Sequence, residues 1–295
     1  MKSVFSLKNT GCCGNLLKLF LLWDYCCKEG FDLIFPVNVP TKNILLERIN
    51  IPNNLKLIDY ISEQKILFNE TCRKSSNQID FQRKYLSYVS ENYGFDIESM
   101  EYYYGNSDDI NPKTSKEILC IDYNDGYEGY NRKLKSIKKF IPIKKFSDAR
   151  FLEVDENYIS LNLKSTISEE FDCETNFWLK TIEKILRNNP KKLLYLVSGN
   201  NELKNRILSS FHKNVEFDMV ETITKNSLRE GGTIIRGSEL SVLKDVQNCY
   251  YTNFMSLHDI VKINPDIPSE KFFRYGKAEK FDLLVSFLKT NNLII

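Results

Sequence analysis

The chain has 295 residues, with 41 Lys plus Arg against 39 Asp plus Glu and a net charge of +2. Apolar residues make up 42% and aromatics 13%. That supports a core and excludes a disordered chain, a collagen-like chain and a small disulfide scaffold. The near-neutral balance argues against a dedicated nucleic-acid binder, and the length suits one large or two medium domains.

In chain order, Val4–Leu7 is the first predicted strand, followed by a tight turn at Gly11-Cys12-Cys13-Gly14-Asn15. A helix is predicted from Leu16 to Lys28, ended by Gly30, then a buried strand Asp32–Pro36 that stops at the proline. This is one βαβ unit with a parallel pair of strands. The run Leu16–Trp23 has the apolar character of a secretory leader. Lys18 and Asp24 interrupt it, and no small-residue cleavage site follows. It also falls short of the ~20 apolar residues a bilayer span needs. A buried helix is expected instead, with no transmembrane segment anywhere.

Residues 41–105 are mostly helical in pattern and carry no clear chemistry. Residues 106–116 read as a loop and Glu117–Tyr123 as a strand. A basic helix and tail are predicted over 130–145, with Arg132, Lys133, Lys135, Lys138, Lys139, Lys144 and Lys145. A solvated helix face is the ordinary reading of such a run, and a nucleic-acid patch the sharper one.

The second half is more regular. Strands are predicted at 158–164, 193–197, 215–219 and 250–254, and helices around 175–188, 203–211, 238–248 and 256–263. Thr175 or Asn176 is the expected cap of the first of these helices, and Pro190 its stop. The alternation over 151–265 predicts an open, doubly wound parallel sheet.

Eight cysteines include the adjacent pairs Cys12-Cys13 and Cys26-Cys27, which suit neither a disulfide framework nor zinc spacing. Reduced cysteines and a cytoplasmic protein are expected. The two histidines, His212 and His258, assemble no catalytic triad or metal set.

In open parallel sheets, ligands bind beyond the carboxyl ends of the strands. That rule selects four loops, at 9–15, 164–175, 198–201 and 251–256. Gly14 and Asn15 stand at a helix start, where backbone N–H groups favour anions or hydroxyls. Asn162 and Lys164 share one face of their strand, next to Ser165. Arg229 and Arg236, in the glycine-rich loop 229–237, form a candidate diphosphate clamp. Thr252, Asn253 and Ser256 precede a helix. Asp122 and Asp125, at a strand end, are the only near-equivalent of a metal-nucleotide motif.

Taken together, these stretches resemble the fucosyltransferase-like glycosyltransferases of the GT-B class, the group of the nodulation, α1,2-, α1,6- and protein O-fucosyltransferases. The opening G-x-G-N-[RQ]-[LM] turn of that group corresponds to the stretch Gly11-Cys12-Cys13-Gly14-Asn15-Leu16-Leu17, and its following strand to Leu33-Ile34-Phe35-Pro36. Its V-S-I-H-x-R-R strand corresponds to Ile159–Ser165, and its S-D-[DN] strand end to Ser198-Gly199-Asn200. Its last donor-binding stretch corresponds to Cys249–Leu257. The group's histidine falls on Asn162, its arginines on Lys164 and Ser165, its acidic residue on Gly199, and its basic or amide residue after Gly-Asn on Leu16.

The resemblance implies an α/β protein of two Rossmann-like domains (GT-B type) with a cleft between them. An acceptor-side domain is expected over 1–150, a nucleotide-sugar-binding domain over 151–276 and a C-terminal helix over 277–295. It implies a transferase moving a sugar from a nucleoside diphosphate donor, GDP-fucose by default, to a hydroxyl of a glycan or protein acceptor, with no metal or other cofactor and no nucleic-acid partner. Donor contacts would come from Asn162, Lys164, Ser165, Ser198, Gly199, Asn200, Arg229, Arg236, Thr252, Asn253 and Ser256, and the acceptor side from Gly14 and Asn15. The alternatives are an inactive carbohydrate- or protein-binding descendant and a metal-dependent GT-A enzyme using Asp122 and Asp125.

Overall fold

The computed structural model describes residues 1–6, 12–37, 39–59, 77–105, 107–123, 127–146, 157–163, 171–198, 201–211, 215–217, 239–266 and 277–295. The chain divides into two compact units, Met1–Lys144 and a second beginning at Lys145.

The first unit is built on five parallel strands: β1 (Ser3–Phe5), β2 (Asp32–Val37), β3 (Leu55–Asp59), β4 (Met100–Gly105) and β5 (Ile118–Tyr123). Their order is β3-β2-β1-β5-β4, so the winding direction reverses between β1 and β5. Helix α1 (Cys12–Glu29) follows β1. It is apolar on nearly every side, and Leu17, Leu19, Phe20 and Leu22 are buried with it, as expected of a helix inside a core. Gly30 ends it in the left-handed conformation (φ 69°). The Phe31 N–H reaches back to the Cys26 carbonyl at 2.9 Å, the 6→1 bond of a Schellman stop.

Two of the charges within α1, Lys18 and Asp24, are also buried. The Lys18 ammonium stands over the Phe35 ring, 5.4 Å from its centre. Asp24 Oδ1 accepts the N–H groups of Lys138 and Lys139 (3.0 and 2.9 Å), and Asp24 Oδ2 pairs with Lys28 at 2.5 Å. A buried carboxylate with three donors is satisfied, so the apolar run tolerates it.

Helices α2 (Val39–Arg48), α3 (Gln78–Tyr93) and α4 (Tyr127–Leu134) complete the unit. Asn77 caps α3 by accepting the Asp80 N–H at 2.9 Å, and Gly94 closes it at φ 72°. Tyr85 and Val89 of α3 pack on Phe5, Ile34, Met100, Tyr102 and Cys120 of the sheet. Val4, Leu33, Phe35, Leu119 and Ile121, the alternate positions, are buried on the opposite face.

Several expectations change here. The strand does not stop at Pro36; it runs through it to Val37. The β1 ladder ends at Phe5 opposite Ile34, so the missing N–H of Pro36 falls beyond that ladder. The expected turn at Gly14-Asn15 is instead the first turn of α1, four residues earlier than predicted. The mostly helical stretch 41–105 holds two strands, β3 and β4, each short and flanked by helix. The basic helix ends at Leu134; beyond it Ile137, Ile141 and Ile143 are buried, and Ile143 bridges Ile49.

The second unit has four parallel strands: β6 (Tyr158–Asn162), β7 (Leu193–Val197), β8 (Val215–Phe217) and β9 (Asn253–Met255), in the order β8-β7-β6-β9. Helices α5 (Phe171–Asn188), α6 (Asn201–Phe211), α7 (Glu239–Tyr251), α8 (Leu257–Ile263) and α9 (Lys277–Thr290) surround them. The doubly wound expectation is met, because helices line both faces. Trp178, Ile182, Leu203, Ile207 and Ile260 bury one face with Ile159, Leu161, Leu194 and Leu196.

On the other face, the Tyr195 hydroxyl donates to Asp245 of α7 at 2.9 Å and accepts from Asn248 at 3.1 Å. Ser160 and Thr252 share a buried hydroxyl–hydroxyl bond beside them. Thr175 and Asn176 are not caps: α5 starts at Phe171, with Asp172 and Glu174 in its first turn, where acids suit the dipole. Among the described residues no helix is long and apolar enough to cross a membrane, and the described cysteines form no disulfide.

Candidate site at the carboxyl edge of the second sheet

The winding reversal of the second sheet lies between β6 and β9. In an open parallel sheet this is where the connections part and leave a crevice. Asn162 is the last residue of β6, half-buried, and is paired with Val197 at the end of β7. The Leu163 N–H donates to the Val197 carbonyl at 2.7 Å, which holds the two strand ends level. Ser198, 3% exposed, follows directly on β7. Leu161 is level with Met255, so Ser256 follows β9 on the same edge. Three segments separated by tens of residues thus bring Asn162, Ser198 and Ser256 to one edge.

Ser256 is also the N-cap of α8. Its hydroxyl donates to Asp259 Oδ2 at 2.7 Å and accepts the Asp259 N–H at 3.3 Å. That hydroxyl bond holds the Asp259 carboxyl below its usual range, with Lys262 helping. His258 is exposed in the first turn of α8.

Thr252 and Asn253 do not belong to this edge. Asn253 is level with Ile159, near the start of β6, so both lie toward the amino end of the sheet. The Thr252 hydroxyl is buried against Ser160, and Asn253 is exposed. The reason is that α7 runs on to Tyr251 and β9 begins later than predicted. Lys164, Ser165, Gly199, Asn200, Arg229 and Arg236 lie outside the described residues.

Near Thr252, Cys249 is fully buried, and burial pushes its thiol well up, with Asp245 adding to the effect. It is an inert thiol.

The first sheet has a comparable edge at its own reversal. Ser6 follows β1, Asn15 and Lys18 stand in the first two turns of α1, and Asp122 lies near the end of β5; all four are buried. Gly14 is buried as well. Lys18 was not predicted for this edge, and Asp122 was predicted only as part of a metal-nucleotide motif, not beside Gly14 and Asn15. The available signal was a lysine inside an otherwise apolar helix following a strand. Leu16 is 2% exposed, a core residue where the resemblance places a basic or amide side chain. Asp125 lies outside the described residues.

Two successive parallel sheets, each with helices and one winding reversal, define a protein of two Rossmann-like units. No protein-family model and no curated protein sequence matches the chain. Among solved structures, it is similar to the α-1,6-fucosyltransferase NodZ soaked with GDP-fucose, at 13% identity and TM-score 0.46, over 94% of this chain and 92% of that one. A NodZ structure from Bradyrhizobium gives 12% identity and TM-score 0.45, over 93% and 91% of the two chains. A variant of Arabidopsis thaliana FUT1 in complex with GDP gives 12% and 0.46, over 90% of this chain and 68% of that one. The E. coli heptosyltransferase WaaC with ADP gives 11% and 0.36, over 74% of each.

Proposed function

We propose that the chain is a glycosyltransferase of the GT-B class that takes a nucleoside diphosphate sugar and transfers the sugar to an acceptor hydroxyl without a metal. The observation that carries this reading is the convergence of Asn162, Ser198 and Ser256 at the reversal of the second sheet. The stretches that resemble donor-binding motifs of the fucosyltransferase group meet on the edge where an open parallel sheet holds nucleotides.

In this reading Asn162 supplies a hydrogen bond to the donor, and Ser198 and Ser256 shape the edge. Lys164, with Arg229 or Arg236, neutralises the leaving diphosphate, the charge that develops in the transition state. Fucose is the default sugar and GDP the default nucleotide, by resemblance. The acceptor, a glycan or protein, is held from the side of Gly14 and Asn15.

The inactive-descendant reading draws on the group's histidine, arginines and acidic residue, which fall on Asn162, Lys164, Ser165 and Gly199. Calorimetric titration with GDP, UDP, ADP and their sugars separates the two. The transferase reading expects one nucleoside diphosphate to bind, and Asn162→Ala to weaken it. Absence of binding by every nucleotide at millimolar concentration overturns it.

A further inference from the structure

The first unit carries a feature that sugar transfer does not use. Residues 129–147 contain seven cations and no acid. The whole chain has a net charge of +2, so the remainder is net negative. Within this run, Arg132, Lys135, Lys138 and Lys139 are exposed, as is Lys145, whose ammonium stands over the Tyr251 ring at 5.2 Å. Lys133 is instead buried and paired with Asp108 at 3.0 Å.

None of Arg132, Lys135, Lys138 and Lys139 makes an ion pair among the described residues. Their backbone is nevertheless fixed. Tyr130 and Leu134 anchor the end of α4, Ile137 and Ile141 are buried, and Asp24 accepts the N–H groups of both Lys138 and Lys139. Four cations with no ion pair among the described residues therefore project from one short, anchored segment.

A cavity of about 300 Å³ adjoins it, lined by Asp24, Lys28, Asp108, Lys133 and Ser136 among others. Both of its lysines are paired with carboxylates, Lys28 with Asp24 and Lys133 with Asp108, so the cavity adds no net positive charge. The attraction must come from Arg132, Lys135, Lys138 and Lys139.

We propose that this segment docks the protein on an anionic bilayer surface. Three of the four cations are lysines, point charges suited to a field of phosphate headgroups rather than to bidentate base reading.

Co-sedimentation of the full chain tests this, using vesicles of phosphatidylcholine alone or with about two-fifths phosphatidylglycerol. Binding is expected only to the anionic vesicles and to fall steeply between about 50 and about 300 mM NaCl. Each neutralised cation should lower the partition coefficient about fivefold, so Arg132→Gln/Lys135→Gln/Lys138→Gln/Lys139→Gln should abolish sedimentation.

A control, Lys56→Gln/Lys113→Gln/Lys180→Gln/Lys191→Gln, carries the same net charge change on exposed sites elsewhere and should retain it. Thermal melts establish that both variants fold. Three results overturn the proposal: no sedimentation of the wild type with anionic vesicles, equal losses in both variants, or displacement from the vesicles by inorganic phosphate or by single-stranded DNA at equal phosphate concentration.

Discussion

On one face of the second sheet, Trp178, Ile182, Leu203, Ile207 and Ile260 press on Leu161, Leu194 and Leu196. On the other, the contacts of α7 include Tyr195, Asp245, Asn248, Ser160 and Thr252 joined by hydrogen bonds. The first face is held by area, which is non-directional and tolerant of small shifts. The second is held by geometry, because each donor must meet its acceptor. The hydrogen-bonded face therefore fixes where β9 sits beside β6, and with it where Ser256 emerges at the candidate site.

That contrast can be broken by mutation. Trp178→Ala, in the apolar face, should lower unfolding free energy by about 3–5 kcal/mol in a urea titration, the largest effect expected. Asp245→Ala removes the acceptor of the Tyr195 hydroxyl and should cost about 1–3 kcal/mol. If it costs no more than a surface change, the second face is not held by its hydrogen bonds.

Ser256→Ala removes the cap of α8 and should cost about 1 kcal/mol near neutral pH. Part of that difference is pH-dependent. The Asp259 carboxyl titrates lower folded than unfolded, so its contribution is complete above the ordinary Asp range near about 3.9. It is lost as pH falls through the lower folded value. The gap between wild type and Ser256→Ala should therefore narrow in acid and stay constant above that range; a gap that widens in acid contradicts the assigned bond. Asn162→Ala should change stability by less than about 0.5 kcal/mol while weakening nucleotide binding, which separates the site from the scaffold that carries it.

Much of this second unit was legible from sequence. Leu193–Val197 matches its strand at both ends, because a continuous apolar run bounded by Lys192 and Ser198 has few other readings. The site edge was legible only where strand ends were placed correctly. Asn162 and Ser198 follow from that. Thr252 and Asn253 were misplaced because Tyr250 and Tyr251 favour a strand locally, whereas packing keeps them in α7.

In the first unit, β3 and β4 were missed for a similar reason. Leu55–Asp59 is only five residues long, and Met100–Gly105 carries three consecutive tyrosines that hide its alternation. Lysines 135, 138 and 139 have good helix propensity, but the buried Ile137 and Ile141 hold a non-helical path that propensity does not reveal. The buried positions of Lys18 and Asp24 depend on Phe35 and on residues 138–139, partners that no local pattern indicates.

Helix α9 brackets the edge strand from both ends. Its Asp282 accepts the Leu257 N–H at 2.7 Å, at the positive start of α8, and its Lys289 donates to the Thr252 carbonyl at 2.7 Å, just past the negative end of α7. The Lys145 N–H, where the second unit begins, donates to the carbonyl of Ile295. During synthesis β9 therefore leaves the ribosome before either of its brackets exists. The edge strand that carries Ser256 to the candidate site is thus tied at both ends by residues made some thirty positions later, and it gains those ties only once α9 has emerged.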